Sequence, residues 1–144
     1  IAAAGVVIAV YLFLSTADTR FENLQQLSQQ AVSRHLEGDT TMTFGADGID
    51  KSLAMLAKEL NFKVILPDFT PKGFVLIGGR ICAVGKCRTA YLFYKHQGQT
   101  CSLFIMDYGN LGFQMADGSR FNNLIKGCRT DIWKENGQVY AMVY

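Results

Sequence analysis

Four cysteines are the side chains best suited to chemistry in this chain: Cys82, Cys87, Cys101 and Cys128. Cys82 and Cys87 flank the loop Ala83-Val84-Gly85-Lys86, Cys101 lies one predicted hairpin later, and Cys128 opens the last predicted hairpin. Cysteines of this kind form disulfides, hold zinc as thiolates or act as a reversible thiol switch. A zinc site prefers paired ligands at short spacing, and only Cys82 and Cys87 come near that pattern. Structural disulfides are the leading expectation, in any of three pairings. Cys82 with Cys87 would staple a loop, and Cys101 with Cys128 would tie the central strands to the last hairpin. A switch would need a lowered thiol pKa, for which only Lys86, Arg88 and Arg129 are near in sequence. Free, buried thiols are the remaining alternative.

The other chemical candidates are weaker. His35 and His96 are the only histidines, and neither belongs to a Ser-His-Asp or Cys-His-Asp pattern. His96, beside a predicted hairpin tip, is expected in solvent, and His35, near a predicted helix end, is expected to favour the helix dipole. The carboxylates are scattered through turns and helix faces, so Asp68 and Asp107 read as turn residues rather than an acid–base pair. Gly78-Gly79 is followed by no Lys-Ser or Lys-Thr and no helical pattern, which excludes a phosphate loop. Trp133, Tyr140 and Phe104 read as core rather than as a pocket lining. The expectation is a protein without catalytic residues, metal or cofactor.

Composition agrees with a packed domain. The 144 residues are 49% hydrophobic and 18% charged, and the net charge of +2, without basic clusters, argues against a nucleic-acid partner.

The elements centre on Phe74 to Met106, which reads as three consecutive antiparallel strands. Arg88 to His96 and Gln99 to Met106 alternate in polarity around Gln97-Gly98, a two-residue hairpin loop. That loop sets Tyr94 opposite Cys101, Leu92 opposite Leu103 and Ala90 opposite Ile105. Tyr91, Phe93, Ser102, Phe104 and Met106 fall on the other face. Both faces are apolar, so both need cover, one by a helix and one by more of the chain or a partner. Ile49 to Leu60, with Asp47 as its N-cap, is the predicted covering helix. Val64-Ile65-Leu66 is a predicted short strand, and Gly112 to Met115 another. Cys128 to Lys134 and Gln138 to Tyr144 form a final hairpin around Asn136-Gly137.

Upstream, Ile1 to Leu14 contains no polar side chain except the Tyr11 hydroxyl. The segment is expected to be the C-terminal part of a transmembrane helix, anchored by Ala2, Val6, Val7, Ile8, Val10, Leu12, Phe13 and Leu14. A signal-peptide core cleaved near Ser15-Thr16-Ala17 is the rival. Few Lys or Arg residues follow Leu14, which places the later residues outside the cytoplasm. Residues 18–38 are expected to form a stalk or packing helix with Phe21, Leu24, Leu27, Ala31 and Val32 as its apolar stripe.

From Ile49 to Tyr144 the chain resembles the extracytoplasmic domain of single-pass transmembrane anti-sigma factors. The resemblance is carried by Leu66-Pro67-Asp68-Phe69, Gly73 to Ile81, Ala90-Tyr91-Leu92-Phe93-Tyr94, Gly98 to Phe104 and Ile132 to Val143, in matching order and spacing. It implies a non-catalytic regulatory module. It also implies a sigma factor as partner, held by a cytoplasmic region ahead of the membrane helix, and supplies no sigma-binding residue within this sequence. The rival reading is a single-pass accessory subunit of a larger membrane complex; a secreted disulfide-bonded binding domain is the third.

The expected architecture is therefore α+β: an antiparallel β-meander with helices packed on one side, preceded by an N-terminal transmembrane helix. Residues 1–17 would be the anchor, 18–38 the stalk, and 39–144 a periplasmic domain of a bacterial inner-membrane protein. Its expected partners are the lipid bilayer and other membrane or envelope proteins, met through the anchor and an apolar sheet face.

Overall fold

The computed structural model describes residues 23–144. The expected anchor, residues 1–17, lies outside the described residues. Among the described residues no helix is long and apolar enough to cross a membrane.

Helix α1 includes residues 23–36, and Gly38, at φ +70°, turns the chain away from it. A two-residue strand β1 (Phe44–Gly45) leads to α2 (Ile49–Leu60), which has the predicted limits. The helix starts differently from expectation, because the N-cap is Gly48 in the left-handed region and no side chain caps it. Then follow β2 (Val75–Val84), β3 (Cys87–His96), β4 (Gln99–Asp107), β5 (Arg120–Ile125), β6 (Cys128–Glu135) and β7 (Gln138–Val143).

All seven strands form one antiparallel sheet in the order β1-β2-β3-β4-β7-β6-β5. Two meanders, β1 to β4 and β5 to β7, are joined side by side through β4 and β7. The predicted central register holds, with Tyr94 opposite Cys101, Leu92 opposite Leu103 and Ala90 opposite Ile105. The hairpin turns at Gln97-Gly98 and Asn136-Gly137 have positive φ at both positions, as tight primed turns require.

Each sheet face has its own core. Tyr91, Phe93, Phe104, Met106, Ile132 and Val143 pack under Leu27, Ala31 and Val32 of α1. On the opposite face Ala90, Leu92, Leu103, Ile105 and Tyr140 pack under Leu56 and Leu60 of α2, with Val64 beside them. The expectation of helices on one side is thus corrected: α1 and α2 lie on opposite faces. The cause is the apolar character of both faces of β3 and β4, where residues 89–94 and 101–106 are buried without a break.

Two strand assignments also change. Val64 to Leu66 is not a strand, because this segment runs over the face of β7 and has its backbone satisfied by side chains. The Gln138 amide accepts from Ile65 N at 3.0 Å and donates to Lys63 O, and Tyr140 Oη donates to Ile65 O at 2.7 Å. Gly112 to Met115 is irregular, and the strand of this region is instead Arg120–Ile125, turned into β6 by Lys126-Gly127. Gly78-Gly79 marks a close approach, as predicted. The ladder shifts register between Leu76 and Gly78, β1 pairs with β2 here, and a Cβ on Gly79 would sit 2.5 Å from Tyr91 O.

Candidate functional site

A polar constellation lies where the C-terminal turn of α1 meets β2, β3 and β4. His35 falls one turn after Ala31, on the buried side of the helix, and its Nδ1 is 2.7 Å from Ser102 Oγ. Ser102 Oγ is also 2.9 Å from Tyr91 Oη. Ser102 is 1% exposed, so the serine, the phenol and the imidazole form a closed chain of hydrogen bonds beneath the helix end. Arg34 Nε donates to Ala83 O at 2.9 Å, and its guanidinium meets Glu37 at 3.2 Å. Arg80 reaches in from β2, with its guanidinium 5.0 Å from the Tyr91 ring centre, and donates to Asp39 O at 3.1 Å.

Electrostatics here favour a neutral imidazole and a neutral phenol beside an ionised Asp39. Burial lowers the His35 pKa from its ordinary value and raises that of Tyr91. Asp39 is held below the usual carboxylate range, first by the Thr41 hydroxyl and amide and then by Arg80. The same interface contains two buried hydroxyls, Ser28 Oγ on α1 and Thr130 Oγ1 on β6, that find no partner among the described residues, together with Arg80 Nε. Such groups reduce the net gain from docking α1, since an unsatisfied buried hydroxyl costs about 1–3 kcal/mol. Burying Leu27 and Val32 contributes about 1.5–3 kcal/mol each.

A serine beside an imidazole suggests hydrolysis, but this Ser102 is sealed under α1. The imidazole atom facing it is Nδ1, and the second group on Ser102 is a phenol whose proton burial retains. The arrangement therefore serves as a tie between helix and sheet.

The four cysteines are spread over β2, β3, β4 and β6, and all are free. No two of them are bonded in this structure. Cys101 belongs to the core under α2 and Cys128 to the core under α1, so the sheet itself separates that pair. Burial pushes the Cys82 thiol up to about 11 and raises those of Cys87 and Cys101, the opposite of what a thiol switch requires. Among the described residues no three His, Cys, Asp or Glu side chains gather as a metal site would need. His96 is half-buried rather than free in solvent, because its ring stacks on Phe74 at 4.2 Å. Asp68 does take turn duty, accepting from Thr70 N at 3.0 Å.

On the α2 side, the helix leaves the outer strands uncovered. A cleft of about 300 Å³ opens there between the loop at Pro67–Phe74 and strands β5 and β6. Its walls are Phe69, Phe74, Trp133 and Tyr144, and Asp68, Asp131 and Glu135 bring carboxylates to it. Trp133 stacks on Tyr140 at 5.2 Å, the core role expected of both, yet it also forms part of the cleft wall. Compared with protein-family models, curated proteins and solved structures, the chain matches none.

Proposed function

We propose that this chain is the extracytoplasmic regulatory module of a single-pass membrane protein of the transmembrane anti-sigma type, working by protein contact rather than by catalysis. One observation carries the reading. The helix described from residue 23, downstream in sequence of the apolar stretch Ile1–Leu14, packs on the sheet through Leu27, Ala31 and Val32, and is tied there by His35 and Arg34. In this reading a load or rotation passed on to α1 from a membrane segment would act on the centre of the sheet. Binding at the sheet would in turn act on that segment. In this reading residues 1–17 lie in a bacterial inner membrane, the sheet lies in the periplasm, and a sigma factor is held from the cytoplasmic side.

An accessory subunit would use an apolar sheet face to meet its neighbours, and on the central strands both faces already carry a helix of the chain itself. The large exposed apolar side chains that remain are dispersed in sequence: Leu36, Met42, Met55, Val75, Leu124 and Tyr144. Purification of the native protein in mild detergent, with mass spectrometry of its companions, tests the choice. A sigma factor at fixed stoichiometry is expected, and a fixed set of polytopic subunits without one would overturn it.

A further inference from the structure

Strand β6 presents Asp131, Trp133 and Glu135 on one face at alternate positions, so a carboxylate, an indole and a carboxylate follow one another about 7 Å apart. All three line the cleft on the α2 side of the sheet. Directly opposite Trp133 in the ladder is Arg120, at the exposed edge of the sheet. Its guanidinium lies over the indole, 5.4 Å from the ring centre. No ion pair ties Arg120 to Asp131 or Glu135. Asp131 instead accepts from Tyr144 Oη at 2.7 Å. Lys72 also lines the cleft and Arg129 lies beside Asp131 and Tyr144, yet neither forms an ion pair with Asp68, Asp131 or Glu135. The aromatic face is therefore occupied by a cation while the neighbouring carboxylates remain without a salt bridge, which is the chemistry that selects a guanidinium.

We propose that this cleft is a seat for an arginine side chain presented by an extended segment of a partner protein, which takes the position over Trp133 that Arg120 holds in the free domain. The inference rests on the interaction-module reading and names the chemistry of the partner. The cleft volume of about 300 Å³ suits one long side chain and its flanking backbone rather than a large ligand. Phe69, edge-on to Trp133 at 6.2 Å, provides an apolar wall for the aliphatic stem. Arg120 then acts as an internal competitor, which keeps the seat filled until a better-placed guanidinium arrives.

Trp133 is the only tryptophan of the 144 residues, so its fluorescence reports the seat directly. The probe is acetyl-Ala-Arg-Ala-amide titrated into the chain in mild detergent, with the neutral citrulline peptide as its isostere. The arginine peptide is expected to give a saturable change in emission that weakens with salt, and the citrulline peptide none. Removing the competitor with Arg120→Ala, or Arg120→Gln should the alanine variant be less stable, is expected to tighten binding about two- to fivefold. Asp131→Asn combined with Glu135→Gln is expected to erase the preference for arginine. Equal response to both peptides, or no tightening on removal of Arg120, overturns the proposal. A native companion retained equally by the wild type and by the double carboxamide variant would also overturn it, while leaving the interaction-module reading in place.

Discussion

His35 Nδ1 lies 2.7 Å from Ser102 Oγ, across 67 residues of sequence, and this contact joins the last turn of α1 to the middle of the sheet. Ser102 sits between β3 and β7 in the sheet and passes the contact on to Tyr91. It holds the helix end against a face that also carries the Thr130 hydroxyl, unpaired among the described residues.

The contact predicts how stability depends on pH. Burial lowers the folded-state pKa of His35 below its ordinary 6.5, so the unfolded chain takes up the proton first. The stability contributed is fully present above pH 6.5 and is lost as pH falls from there through the lowered folded value. Denaturant melts of the wild type should show this decline, and His35→Asn should flatten it. A wild-type decline that survives in His35→Asn would assign the effect to other groups.

Removing the hydroxyl that both partners share should cost more than a surface change. Ser102→Ala leaves His35 Nδ1 and Tyr91 Oη without their partner, and about 1–3 kcal/mol is expected from denaturant unfolding. Hydrogen exchange should show the loss most strongly in amides of α1, with α2 less affected.

Gly79→Ala should be severe for its size. The new methyl group would meet Tyr91 O, the Leu92 side chain and the Phe44 ring at once, on two sides of β2. A loss of about 1–3 kcal/mol is expected, with the pairing of β1 to β2 loosened. A neutral result would mean that β1 does not pair closely with Gly78-Gly79.

The thiols should count as four. Alkylation after unfolding without reductant is expected to label Cys82, Cys87, Cys101 and Cys128 in full by intact mass, and in the folded protein Cys101 should react slowest of the four because it is 2% exposed. A mass shift that appears only after reduction would restore a disulfide.

What the sequence made legible follows a physical pattern. The strands β3, β4, β6 and β7 and helix α2 are strongly periodic and bounded by Gly-containing turns, and they fall where the alternation put them. Strand β5 was hidden because Arg120 to Ile125 is an edge, with only one apolar side chain at a time facing a core, and Asn122-Asn123 weakens the pattern. Val64 to Leu66 reads as a strand by composition, but its backbone is bonded by the Gln138 and Tyr140 side chains, which no local pattern encodes. Placement of α1 and α2 on opposite faces runs against the expectation of helices on one side, because the two apolar faces of the meander call for cover without saying which segment supplies it. His35 was overlooked as a tie because it was read by its distance from the helix end. Its position four residues after Ala31 puts it on the buried stripe. The Asp-x-Trp-x-Glu alternation of β6 was visible, but its Arg120 partner depends on a strand that was not.

If, as we propose, this domain passes a regulatory signal to a membrane anchor of the anti-sigma type, native purification in mild detergent followed by mass spectrometry of the intact chain and its companions should show it. A membrane-anchored chain that brings down a sigma factor at fixed stoichiometry is expected. A stable assembly of polytopic membrane subunits without a sigma factor would overturn the proposal.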